Sequence, residues 1–104
     1  MTIQFNTDRN ISGIGDDTAP FTSEIADKLS RFSSQITRIE VHLSDENGNK
    51  DTLKDIRCLM EARREGKQPI AVSDQADTPD QAVSGAIDKL KAALETITGK
   101  ERNY

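Results

Sequence analysis

HLSDENGNKD, residues 42–51, sets Asp45, Asn47, Asn49 and Asp51 at alternate positions beside Gly48. Two folds compete for such a stretch, a calcium loop between helices and a bend between strands. A calcium loop of the EF-hand type needs oxygen ligands at its first, third and fifth positions, glycine at the sixth and a bidentate Glu at the twelfth. Counted from Asp45, the third and fifth are Asn47 and Asn49, but the sixth is Lys50 and the twelfth is Ile56. Calcium fails on both defining positions. The flanks agree, because Ile39, Val41 and Leu43 alternate with Arg38, Glu40 and His42 before the loop, and Ile56, Cys58, Met60 and Ala62 alternate with Arg57, Leu59, Glu61 and Arg63 after it. That is the period of half-buried strands. Asn47-Gly48 between two such runs is a hairpin signal, since both residues tolerate positive φ.

Outward from this hairpin the chain supplies two more strands and two helices. Ile3 and Phe5 alternate with Gln4 and Asn6 in a first strand, and Ile70 and Val72, after Glu65-Gly66, mark a short last one whose Pro69 fits an edge or strand start. Phe21, Ile25, Leu29 and Phe32 form one helical stripe, which predicts a helix over roughly 19–33 with Pro20 in its first turn. The second helix opens at TPDQ, residues 78–81, with Thr78 as cap, Pro79 at the first helical position and Gln81 placed for a capping box. Val83, Ala86, Ile87, Leu90, Leu94 and Ile97 follow at helical spacing, and Gly99 is placed to end it, leaving GKERNY as a disordered polar tail from about 99. NISGIGDDT, residues 10–18, reads as a loop. The order β-α-β-β-β-α predicts a single α+β domain over 1–104. It is a two-layer sandwich with both helices on one face of a four-stranded sheet, and the other face is open to water and lined by Arg38, Glu40, His42, Arg57, Glu61 and Arg63.

With 18 acidic and 14 basic residues, the formal charge is −4, which repels a polyanion unless the cations gather on one side. The absence of an apolar run near the length of a bilayer, or of an apolar leader, predicts no membrane span and no secretory signal. A lone Cys58 rules out an internal disulfide and suits a reducing cytoplasm.

Chemistry finds few carriers. Gly13-Ile14-Gly15 offers two glycines of a phosphate fingerprint, but Thr18 stands at the third position and no parallel βαβ pattern with an acidic residue at the right distance accompanies them. His42 points outward without metal-ligand partners, Cys58 lies in the inward register as a small apolar group, and Ser23, Ser30, Ser33 and Ser34 have no histidine in reach. No catalytic residue, metal ligand or cofactor is therefore assigned, and no enzyme is expected. Cations remain. Lys28 and Arg31 share one flank of the first helix, while Lys89 and Lys100 lie along the outer side of the second and Lys91 on a flank. Side-by-side helices would set these five in a broken stripe. Lys50, Lys54, Arg57, Arg63, Arg64 and Lys67 add six basic residues against four acidic ones in the segment 50–67.

ITRIEVHLSDENGNK (36–50), IRCLMEARREGKQPIAV (56–72) and DQAVSGAIDKLKAALE (80–95) together resemble the ribosome-hibernation family of hibernation-promoting factors and ribosome-associated translation inhibitors, over Ile3 to about Ile97. The nearest likeness is to short, stand-alone members. The resemblance implies the same β-α-β-β-β-α fold and occupation of the messenger- and transfer-RNA channel of the small ribosomal subunit in stressed or stationary cells. In that pattern Lys28, Arg31, Lys89 and Lys91 would face ribosomal RNA, with Lys100 and Arg102 extending the row. It implies a cytoplasmic protein with no small-molecule substrate, and a monomer lacking the dimerisation domain of long members. Better-known members carry a denser basic row where this chain has Ala92, Ala93, Glu95 and Thr96, so weaker or conditional ribosome binding is expected. The rival reading is an acidic protein-interaction module that kept the fold without the RNA surface.

Overall fold

A computed structural model describes residues 1–8, 18–45 and 56–102, with side chains to Glu101. Gly13, Gly15, Asn47, Gly48, Asn49 and Asp51 lie outside the described residues. The elements run β1 (Thr2–Thr7), α1 (Ala19–Lys28), β2 (Ile36–Asp45), β3 (Ile56–Arg64), β4 (Ile70–Ala76) and α2 (Pro79–Arg102). The expected order and α+β class hold. One sheet carries the strands in the order β1-β2-β3-β4. β2 and β3 are antiparallel, with Asp45 opposite Ile56, so the opening stretch does join two paired strands.

Alternation decides which side chains meet the helices. Ile39, Val41, Leu43, Cys58, Met60 and Ala62 point to the helical layer and are buried with Ile25, Leu29, Val83, Ile87, Leu90 and Leu94. Arg38, His42, Arg57 and Arg63 are exposed on the other face, with Glu40 and Glu61 half-buried there. α2 lies over β3 and β4, whereas α1 packs on β1 and on α2. Phe21 of α1 stacks on Phe5 of β1 with ring centroids 5.3 Å apart. Thr78 caps α2 as expected, its Oγ1 accepting from the Gln81 N–H at 3.2 Å.

Four boundaries and pairings differ from the sequence expectation. β1 and β2 are parallel, so a βαβ unit is present after all, with α1 in the crossover. The first helix is α-helical only to Lys28 and tightens into a 3₁₀ turn over Ser30–Phe32. Three i+3 backbone bonds, from Phe32 to Leu29, Ser33 to Ser30 and Gln35 to Phe32, keep Leu29 and Phe32 both buried across the change. β2 begins earlier, at Ile36, and its register shifts before Arg38, so that Thr37 and Arg38 both face outward while Ile36 and Ile39 face in. Finally α2 does not stop at Gly99 but continues to Arg102, where Glu101 meets Arg64 and Lys67. Those contacts hold the last turn in place of the tail expected from about 99.

Candidate nucleic-acid interface

The five expected cations fall into two groups on either flank of α2. Residues two apart on a helix lie about 200° apart, so Lys89 and Lys91 face opposite ways. Lys91 shares the α1 side with Ser84, Asp88 and Glu95, while Lys100 is nearly in line with Lys89 on the side of β4.

Carboxylates take up most of the α1-side charge. Lys28, the last residue of α1, places Nζ 2.9 Å from Oε2 of Glu24, one turn earlier. The same oxygen accepts from Ser84 Oγ at 2.8 Å, which ties α1 to α2. Burial pushes the Glu24 carboxyl up, but the hydrogen bonds from Lys28 and Ser84 and the Lys28 charge outweigh it and hold the pKa below its ordinary value. Lys28 is in turn held above its ordinary value, first by its bond to Glu24 and then by the Glu24, Asp88 and Asp27 charges. Arg31 meets Glu95 of α2 at 3.1 Å and rests over the ring of Phe32, its guanidinium carbon 4.7 Å from the centroid. The Ser84–Glu24 and Arg31–Glu95 contacts span the seam between the helices.

On the other flank Lys89 folds down over β4. Its Nζ lies 2.9 Å from Asp74 Oδ1 and donates to the Ser73 carbonyl at 2.9 Å, which covers part of an edge strand. Gly85 makes this possible: a Cβ there would collide with the Asp74 carboxylate, which therefore lies against the helix, one turn before Lys89. Among the described residues no carboxylate stands within ion-pair distance of Lys91 or Lys100. Lys100 is exposed and Lys91 half-buried. Lys28, Arg31 and Lys89 are thus balanced where they stand, and the five do not form one continuous free stripe. Arg102 has no described side chain.

The open sheet face carries its own charge pattern. Glu40 and Glu61 are directly opposite across β2 and β3, an arrangement that repels on its own. Arg63 resolves it, with Nε 2.9 Å from Glu40 and 3.1 Å from Glu61, and Arg38 approaches Glu40 at 3.8 Å. His42 stands 3.7 Å from Asp8. Cys58 is fully buried, and burial foremost, with the Asp74 charge, pushes its thiol up to about 12, far from a nucleophile. Among the described residues no group of three or more His, Cys, Asp or Glu is placed to hold a metal, and no helix is long and apolar enough to cross a membrane.

One pair of cations was not assigned from sequence. Arg64 ends the inward register of β3 and is buried against Glu101, and Lys67 joins the same carboxylate at 3.4 Å. The register Ile56, Cys58, Met60, Ala62 already pointed to position 64 as inward.

The profile of the Sigma 54 modulation protein / S30EA ribosomal protein family matches residues 9–102. The chain belongs to that family. Solved structures share the fold of this S30EA-family chain at low identity. The N-terminal domain of Protein Y from Thermus thermophilus superposes with a TM-score of 0.70 at 18% identity, covering 93% of this chain and 99% of that one. A ribosomal subunit interface protein from Coxiella burnetii gives 0.65 at 20% identity, covering 95% and 99%. No curated protein matches the chain by sequence. The S30EA family membership therefore rests on the profile, and the solved structures add the fold.

Proposed function

We propose that this S30EA-family protein is a cytoplasmic ribosome-binding translation inhibitor, which occupies the messenger- and transfer-RNA channel of the small subunit in stressed or growth-arrested cells. It acts by occupancy and not by catalysis. The observation that carries the reading is the family match over residues 9–102, and the printed description of the Coxiella protein as a ribosomal subunit interface protein supports it. A single domain over 1–104, monomeric, fits this use.

RNA contacts are assigned to Lys28, Arg31, Lys89, Lys91 and Lys100. Lys91 and Lys100 are the readiest, because neither must first leave a carboxylate. For Lys28, Arg31 and Lys89 a phosphate has to replace Glu24, Glu95 or Asp74 as partner, an exchange of one exposed ion pair for another that gains little by itself. Counterion release then supplies the drive, so affinity falls steeply with salt. Sedimentation of extract from growth-arrested cells at low salt tests the reading. The protein travels with ribosomal fractions if it holds, and its confinement to the top of the gradient would refute it.

A second reading has a specific observation behind it. Three of the five cations already have carboxylate partners, and the chain carries −4 overall, as suits a module that binds another protein. A pull-down separates the two: one defined protein partner, retained after nuclease treatment, favours the module.

A further inference from the structure

The turn between β3 and β4, with Gly66 at φ 71°, carries Arg64 and Lys67 to the last turn of α2. Both line a cleft of about 480 Å³ that Ser34, Glu65 and Glu101 also border. Arg64 is the buried charged residue among the described residues, its side chain only 7% exposed. A guanidinium held so deep is stable when its donors are met, and an orphaned one is costly. Glu101 meets it incompletely. Both carboxylate oxygens approach the single nitrogen Nη1, each at 3.2 Å. The strong form of this pair uses two nitrogens in parallel at about 2.7–2.9 Å. Meanwhile Arg64 Nε is buried with no hydrogen-bond partner among the described residues.

We propose that this cleft is a phosphate-binding site, in which Arg64 and Lys67 hold one phosphoryl group and Glu101 is the internal carboxylate that it displaces. A phosphoryl group has the oxygens to engage Arg64, Lys67 and the Ser34 hydroxyl together, which a planar carboxylate fixed to α2 does not. Glu101 is able to leave because it sits in the terminal turn, the part of a helix that opens most readily. With Glu101 in place, Arg64 and Lys67 are balanced by Glu65 and Glu101, so binding is an exchange of anions and its affinity is modest. The phosphoryl group belongs either to an RNA strand or to a free phosphorylated small molecule. The site does not depend on ribosome binding, and each survives the failure of the other.

The test is a titration of the full chain, followed by NMR of the backbone amides of residues 64–67 and the Arg64 Nε–H, at constant ionic strength. The probes are inorganic phosphate, adenosine monophosphate and a short single-stranded RNA, with chloride as control. Phosphate should shift these resonances where chloride does not. Glu101→Gln should tighten phosphate binding about tenfold, and Lys67→Ala, at an exposed position, should weaken it by a similar factor. RNA binding tighter than both small probes assigns the site to nucleic acid, and equal or weaker RNA binding assigns it to a free phosphorylated ligand. The proposal is overturned if none of the phosphate probes shifts these resonances, or if Glu101→Gln keeps the fold and leaves phosphate binding unchanged.

Discussion

Arg63 and Arg64 are neighbours in β3, yet they belong to different molecules in energetic terms. Arg63 lies on the open face with its side chain 54% exposed, shared between Glu40 and Glu61 on its own sheet. Arg64 turns inward, 7% exposed, and reaches a carboxylate on α2, the last element of the chain. The first pairing cancels repulsion within the sheet, where water screens it. The second joins sheet to helix, with the guanidinium itself largely withdrawn from water and its carboxylate partner at the surface, and so bears on the last turn of α2. Sign and residue type are the same, and only the side of the strand differs.

The sharpest break of this contrast is between Met60 and Leu59, the same alternation without charge. Met60 is fully buried and Leu59 is 42% exposed. Met60→Ala should cost about 2–5 kcal/mol in chemical denaturation. Leu59→Ala should stay within about 0.5 kcal/mol, and equal losses would mean the two faces are not distinct. Next in size, Glu101→Gln should lower the melting temperature clearly more than Glu61→Gln, since it leaves Arg64 buried with a weaker partner. Glu61→Gln leaves Arg63 with Glu40 and should cost under about 1 kcal/mol.

Acid sharpens the contrast further. Glu24 and Glu101 each feel burial raising the pKa, outweighed by bonds from Lys28 and Ser84 in one case and from Arg64 and Lys67 in the other, so both end below the ordinary 4.5. A carboxyl lowered in the folded state binds its proton less well there than in the unfolded chain. The stability it contributes is complete above about pH 4.5 and is lost as pH falls through the lowered folded value. Denaturation midpoints measured from neutral pH into this range should drop, and Glu101→Gln should flatten the drop. An unchanged profile in the variant would remove Glu101 from the acid response.

Much of this was readable in the sequence, for physical reasons that also mark where reading stops. The alternation around residues 42–51 fixed both middle strands and their open face, and the same parity reached Arg64. Lys28 and Glu24 are one helical turn apart, so their pairing is also local. The partners of Arg31 and Lys89 are not local, since Glu95 and Asp74 come from other elements once the layers have packed. Neither periodicity nor composition carries that. Gly99 resembles a helix stop in isolation, and the contacts that accompany α2 past it, from Glu101 to Arg64 and Lys67 and from Thr98 to Gln35, are long-range.

Smallest in scale but closest to function is a binding titration of purified protein against small ribosomal subunits over a series of salt concentrations. Phosphate contact predicts a log–log slope of about 0.7–0.9 per contact. Replacing both Lys91 and Lys100 by Ala should lower that slope by about 1.4–1.8. Binding that ignores salt, or a slope unmoved by the double substitution, would contradict RNA recognition by these side chains.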